Sequence, residues 1–197
     1  GERPLTVMFP MVTVPEEYRQ AKALLLEEGD WSARKTGVSP SKLEVGVMLE
    51  TPALGFSMQD LAGEVDFLSV GTNDLQQFFF AADRMTPSVS DRYDIVSPSS
   101  LRFLKMVADT CQTAGIRLSV CGEASAAPAV ALCFAALGYR SLSMAASAIG
   151  PVKQALRNVD LSAFRAGLIE RLNKPNGSFR NQVLGLAAEH GIDTADG

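Results

Sequence analysis

Short apolar segments alternate with stretches of helical spacing along most of the chain. In those stretches apolar residues recur every three or four positions. This alternation is typical of βα units, in which helices connect parallel strands. The pattern therefore predicts an α/β fold with a parallel sheet, and its strands are expected at about 5–9, 43–49, 65–70, 116–120 and 141–144.

Proline and glycine suggest where the helices begin and end. The first helix is predicted over 15–28, with Pro15 in its first turn and Gly29 as its stop, so that 30–43 becomes a loop or an extended tongue. After residue 160 the strand signal disappears. We therefore expect a main domain over 4–160 and a C-terminal helical extension over 161–197. The other predicted helices are at about 53–62, 75–82, 99–114, 128–137, 147–158, 161–172 and 179–190.

Composition and charge exclude several classes of protein. The 197 residues are 47% hydrophobic and 20% charged, which is ordinary for a globular domain. A net charge of −4 argues against a nucleic-acid partner. The longest nearly uncharged run, 126–138, contains Pro128 and is shorter than the roughly 20 residues of a membrane span. Three cysteines lack zinc-ligand spacing, and no secretory signal opens the chain. We expect a cytoplasmic protein without a membrane partner.

Polar residues follow three of the predicted strands. Glu50 follows the second strand, Asn73 and Asp74 follow the third, and Cys121 follows the fourth. Because parallel strands end at one face of the sheet, these side chains are expected to converge there. Two carboxylates suit Mg²⁺, which prefers oxygen ligands and keeps several waters. The alternatives are that Glu50 caps the next helix and that Asp74 closes a turn.

A cysteine at a strand end is a candidate nucleophile or proton donor. The single histidine, His190, lies near the C-terminus and is read as a surface residue, so the proton-donor role is more natural for Cys121. Cys111 and Cys133 lie in predicted helices and are assigned to packing. Arg84, in the long connection 83–98, is a candidate for binding a phosphate or carboxylate, or else a surface arginine paired with a nearby aspartate.

Six short motifs occur in an order that resembles a known family. They are MFPM at 8–11, VMLETP at 47–52, FLSVGTNDL at 67–75, ADR at 82–84, CGE at 121–123 and LSM at 142–144. Together they resemble the C-terminal phosphoenolpyruvate (PEP) binding domain of PEP-utilising enzymes, specifically Enzyme I of the bacterial phosphotransferase system. Residues 138–144 look closest to its nitrogen-related branch. The resemblance covers residues 4–160.

The resemblance implies about five of the eight βα units of a TIM (β/α)₈ barrel whose mouth binds PEP and Mg²⁺. At matching positions, Glu50 and Asp74 would hold Mg²⁺. Asn73 and Arg84 would contact the PEP phosphate, and Cys121 would protonate the methylene carbon as enolpyruvate becomes pyruvate. The phosphoryl group would pass through an enzyme histidine to an HPr-like carrier protein. A homodimer and roles in sugar transport and nitrogen regulation are also implied.

The chain departs from the family pattern at a few positions. Ala124, Ser125 and Ala126 stand where Met-Ala-Gly is usual, so we expect the loop after Cys121 to be shaped differently. Around 76–78 the family more often carries a threonine and a tyrosine, and at 97–98 it commonly has His-Pro. None of these departures removes a residue assigned to the metal or to PEP.

The family's barrel starts with three further βα units, and its phosphohistidine lies in a domain upstream. We therefore expect the chain to be a fragment that cannot complete phosphotransfer alone. Two alternatives stay open. The chain could be the PEP-binding part of a pyruvate phosphate dikinase or PEP synthase relative, which would carry an ATP-grasp domain upstream. It could instead serve as a non-catalytic dimerisation module.

Overall fold

Five parallel strands form a single sheet in the order of the chain. The computed structural model describes residues 3–83, 85–86 and 93–192. Each strand pairs with the next one along the chain, without the reversal of strand order found in doubly wound sheets. This is the order of consecutive units of a (β/α)₈ barrel, left open here, and it confirms the predicted fold class. The strands are β1 (Leu5–Phe9), β2 (Leu43–Leu49), β3 (Phe67–Gly71), β4 (Arg117–Cys121) and β5 (Ser141–Ser143).

Helices connect the strands, and several begin with proline and end with glycine. Prolines occupy the first turns of α1, α2, α4 and α5, and left-handed glycines end three of these four. In the described part of the chain, every helix is too short or too polar to cross a membrane. The helices are α1 (Pro15–Thr36), α2 (Pro52–Ser57), α3 (Thr72–Phe80), α4 (Pro98–Ala114), α5 (Pro128–Leu137), α6 (Ala146–Asn158), α7 (Leu161–Asn173) and α8 (Phe179–Glu189).

The two faces of the sheet differ in polarity. The face towards the helices carries Val47, Leu68, Val70 and Val120, all fully buried. Consecutive right-handed connections place the helices on this one side. The opposite face, which we call the inner face, corresponds to the interior of a barrel and carries smaller and more polar residues such as Ser69. Successive residues of each strand therefore point alternately into the hydrophobic core and to the inner face.

Helix α5 lies at the centre of the helical layer. All ten of its residues are buried, as expected for a helix that is apolar all round. Helices α7 and α8 pack against its outer side with buried residues that include Phe164, Leu168 and Leu186. The C-terminal helices thus share one hydrophobic core with the sheet. The proposed domain boundary at residue 160 stays a prediction.

The predicted end of α1 at Gly29 is wrong. The helix continues to Thr36 and ends at Gly37, whose φ of 70° is left-handed and whose N–H donates to Ala33 O. A glycine inside a helix costs only about 1 kcal/mol relative to alanine, which is too little to end a helix whose later residues also favour it. The segment 30–36, predicted as loop, is therefore helical.

Candidate active site

The carboxyl ends of four neighbouring strands lie at one level. Gly71 pairs with Cys121, Cys121 pairs with Ser143, and Glu50 follows β2 at the same height. Their positions alternate with the buried helix-facing residues, so all four belong to the inner face. Neighbouring strands are about 4.8 Å apart, so this level extends over roughly 14 Å. Glu50 and Cys121 therefore lie at the same level and on the same face, as predicted, with β3 between their strands.

Glu50 is held by the segment that follows β1 and has space beside the last residue of β3. It is 6% exposed, and its Oε2 accepts a hydrogen bond of 2.7 Å from Met11 N. Gly71 leaves it room, because a Cβ there would lie 2.9 Å from Glu50 Cγ. The N-cap of α2 is Thr51 rather than Glu50. The structure thus fixes the Glu50 carboxylate at the strand ends instead of on the following helix.

Asn73 and Asp74 lie in the first turn of α3, directly after β3. Both are half-buried. The unpaired backbone N–H groups and the dipole at the start of a helix favour an anion there. The strand-to-helix transition therefore places an amide and a carboxylate at the same edge as Glu50.

A cleft with a volume of about 360 Å³ opens at the carboxyl ends of β3, β4 and β5. This volume is in the range of small-molecule sites. Among the predicted site residues that the structure describes, Asn73 lines the cleft, whereas Glu50, Asp74 and Cys121 lie outside its lining. Arg84 lies outside the described residues. The cleft is lined by Asn73, Gly122, Glu123, Ala126, Ser143, Met144 and Ala145.

The three thiols have different environments. Cys121 is half-buried, and its Sγ donates to Val70 O over 3.4 Å. Cys111 and Cys133 are buried among apolar side chains, and the loss of water around their thiolates raises the pKa of each to about 12. Their assignment to packing is confirmed. Cys121 is therefore the accessible thiol of the three and the one at the strand ends.

The sequence did not predict the two buried hydroxyl groups near Cys121, which belong to Thr72 and Ser125. Thr72 donates from Oγ1 to Cys121 O over 3.2 Å. The hydroxyl of Ser125 lies 2.8 Å from Gly122 O. Gly122 itself has a φ of 127°, which favours glycine. The only sequence signal for these contacts was the departure from the family pattern at Ser125.

The donors at this edge fit a hard cation rather than zinc. Within the described ranges, no group of three or more histidine, cysteine, aspartate or glutamate side chains comes together. Mg²⁺ needs fewer protein ligands, because it is usually bound by one or two carboxylates and completes its shell with water and substrate oxygens. Glu50 and Asp74, on neighbouring strand ends, supply that kind of donor set.

Comparison with known proteins assigns this architecture to a family. Residues 2–161 match the model of the PEP-binding domain of PEP-utilising enzymes. The chain is 38% identical over 156 residues to a phosphoenolpyruvate-dependent phosphotransferase system protein of Salmonella typhimurium, covering 79% of this chain and 21% of that protein. It is 40% identical over 171 residues to a phosphoenolpyruvate-protein phosphotransferase of Listeria monocytogenes, covering 86% of this chain and 30% of that protein.

A solved structure supports the fold independently of these sequences. The chain superposes on a citrate lyase from Burkholderia xenovorans LB400 with a TM-score of 0.54 at 19% identity, covering 96% of this chain and 65% of that one. The chain spans less than a third of the length of the curated relatives described above. The comparisons therefore establish the kind of domain, while the activity of the whole protein has to be argued from the site.

Proposed function

Because this chain belongs to the PEP-utilising enzymes and matches their PEP-binding domain, we propose that it forms the PEP-binding part of a PEP-protein phosphotransferase. The observation that carries this proposal is the alignment of the strand ends, which places Glu50 and Cys121 at one level beside the cleft. It combines oxygen ligands for a cation with a thiol. In the proposed reaction the cation would offset charge on the phosphoryl group, and the thiol would donate a proton to carbon. The relatives that match the chain carry the corresponding names.

The phosphate end of PEP is proposed to lie over the first turn of α3. Asn73 lines the cleft and can donate from its side-chain amide to a phosphate oxygen. Glu50 and Asp74 would hold Mg²⁺, which when bound offsets negative charge on the transferring phosphoryl group. By the resemblance, Arg84 would contact the same phosphate. Binding and orientation are thus assigned to residues that follow β2 and β3.

Cys121 is proposed to complete the reaction at carbon. When the phosphoryl group passes from the enol oxygen to a histidine nitrogen, the P–O bond breaks and its electron pair stays on that oxygen, which leaves the enolate of pyruvate. The methylene carbon of that enolate then takes the proton of the Cys121 thiol, which yields pyruvate and a thiolate that regains a proton from water. The Cys121 thiol already donates to Val70 O, so its proton is held at the strand-end level.

The remaining steps need parts outside this chain. The phosphoryl acceptor is proposed to be a histidine on another domain, and the next acceptor an HPr-like carrier protein. The chain alone is expected to be inactive in transfer, and the complete protein is proposed to be a cytoplasmic homodimer. A dikinase or synthase relative remains the second candidate, because the PEP-binding domain match covers PEP-utilising enzymes in general. An ATP requirement for phosphorylation of the complete protein would favour it.

The test uses the complete protein with labelled PEP, and follows phosphorylation of the carrier and release of pyruvate. Asp74→Ala is expected to lower Mg²⁺-dependent turnover at least 100-fold. The substitution removes a proposed ligand of the cation that would offset negative charge on the phosphoryl group. Cys121→Ala is expected to retain phosphoryl transfer and to slow protonation of the enolate. Asp109→Ala is the matched control, because Asp109 pairs with Lys105 on the outer helix α4. Full activity of the Asp74→Ala enzyme would contradict the metal assignment.

A further inference from the structure

Two buried hydroxyl groups lie against two successive carbonyl groups of the segment that follows β4. Thr72 is 1% exposed and donates from Oγ1 to Cys121 O over 3.2 Å. Ser125 is fully buried, and its Oγ lies 2.8 Å from Gly122 O and 2.5 Å from Ser143 O. The backbone N–H of Ser125 also donates to Gly122 O, over 3.4 Å. Each carbonyl of the Cys121 and Gly122 pair is therefore held by a hydroxyl.

The conformation of this segment needs such support. Gly122 has φ 127° and ψ 166°, a combination that is essentially restricted to glycine. A Cβ on Gly122 would lie 2.1 Å from Thr72 Oγ1, so the backbone and the threonine are in close contact. Unusual backbone conformations persist only where surrounding groups determine them. The hydroxyls of Thr72 and Ser125, together with the backbone N–H of Ser125, hold this conformation here.

Ser125 also connects two walls of the cleft. Gly122 and Ser143 both line it, one from the end of β4 and the other from the end of β5. The Ser125 hydroxyl lies within hydrogen-bonding distance of the carbonyls of both residues, although its single proton serves one of them at a time. Since the family pattern has alanine at this position, the link to β5 belongs to this chain rather than to the resemblance.

We propose that Thr72 and Ser125 form a hydroxyl clamp that positions Cys121. The clamp fixes the peptide that joins Cys121 to Gly122 and ties it to the end of β5. It thereby sets the direction of the Cys121 thiol. Its catalytic meaning rests on the proposed function, because the thiol needs a fixed direction only if it delivers a proton. Thr72 and Ser125 are positioning residues and do not touch the reacting atoms.

The clamp can be tested on the 197-residue chain by alkylation with iodoacetamide, with the modified cysteine identified by mass spectrometry. Ser125→Ala and Thr72→Val are each expected to raise the rate at Cys121 about 2- to 10-fold, the factor that corresponds to one lost hydrogen bond. Amide hydrogen exchange over 121–125 is expected to rise in parallel. Thr72→Ser keeps the hydroxyl and is expected to restore the original rate. Ser57→Ala is the matched control, because that hydroxyl bonds to a helical carbonyl on α2.

A general loss of stability is distinguished by the location of the effect. Faster alkylation of buried Cys111 together with Cys121 would indicate global opening and would overturn the clamp. Unchanged alkylation and exchange in both folded variants would overturn it as well. If one variant does not fold, the other, together with Thr72→Ser, carries the test.

The complete protein supplies the catalytic readout. The clamp variants are expected to lower kcat for pyruvate release 2- to 10-fold at unchanged KM for PEP, because they move the proton donor and leave the phosphate ligands in place. Unchanged kcat would overturn the positioning role. If Cys121→Ala itself leaves pyruvate release unchanged, the proposed role of Cys121 fails, and the alkylation and exchange data still decide whether the clamp exists.

Discussion

Replacing Gly122 with alanine perturbs the segment after β4 at its most constrained point. A residue with a Cβ at φ 127° is strained by about 1–2 kcal/mol. The new Cβ would also lie 2.1 Å from Thr72 Oγ1, so the threonine has to move and to give up its hydrogen bond to Cys121 O, which is worth about 1 kcal/mol. We expect Gly122→Ala to lower the free energy of unfolding by roughly 2–3 kcal/mol, a large share of the 5–15 kcal/mol typical of a domain.

Urea denaturation of the 197-residue chain measures this loss. With a slope of about 1–3 kcal/mol per molar urea, the midpoint is expected to fall by roughly 1–2 M while the slope stays unchanged. Gly138→Ala is the matched control, because Gly138 has a φ of 108° and no atom within 4 Å of a built Cβ. The control therefore includes the backbone strain of about 1–2 kcal/mol without the close contact.

The comparison of the two glycine variants decides whether the close approach exists. Equal losses for Gly122→Ala and Gly138→Ala would refute the contact with Thr72. A double variant adds a second check: Thr72→Ala removes the obstructing oxygen, so the combined loss is expected to be about 1 kcal/mol smaller than the sum of the single losses. Additive losses would show that the two residues do not interact.

Two further predictions concern other parts of the chain. Gly29→Ala is expected to stabilise the chain by about 0.5–1 kcal/mol in urea denaturation, since Gly29 lies inside α1 with open space around it, whereas Gly37→Ala should destabilise it because of the left-handed φ. Between pH 8 and pH 9.5 the free energy of unfolding is expected to fall by about 1 kcal/mol for each of Cys111 and Cys133. The unfolded thiols ionise near their ordinary pKa of 9.0, while the folded ones stay protonated up to a pKa of about 12, so the folded state binds more protons and stability decreases as pH rises. Cys133→Ala should halve the decrease, and a flat profile for the unsubstituted chain would contradict the burial argument.

The strands follow from local patterns and could be predicted from the sequence. Each strand is a short apolar run between turn residues, and each is followed by a helix, so a parallel sheet is expected. Pairing in chain order does not follow from these patterns, because doubly wound sheets share them, and it was implied by the resemblance to a barrel family. The end of α1 could not be predicted in the same way. Gly29 and Gly37 are equally plausible stops from local signals, and only the second adopts the left-handed conformation that ends a helix.

The sequence predicts which residues lie at the candidate site, but it does not predict the hydrogen bonds that hold them. The rule that parallel strands end at one face predicts that Glu50 and Cys121 come together. The hydrogen bond from Met11 to Glu50 joins residues 39 positions apart and depends on the register between β1 and β2. The contact of Ser125 with Ser143 likewise depends on how β5 lies beside β4. The register on which each contact depends cannot be predicted from the local sequence.

The alignment of the strand ends does not require a closed barrel. β1 and β5 form the edges of the sheet, and the inner face is only partly covered, with Arg117 over the ring of Phe67 and paired with Glu44 at 2.8 Å. In a closed barrel such inward side chains fill the interior in layers. Each strand end, however, is positioned by pairing with its nearest neighbours alone. Five consecutive units therefore suffice to bring a carboxylate, an amide and a thiol to one edge, and closure would add stability and further ligands to an edge that is already formed.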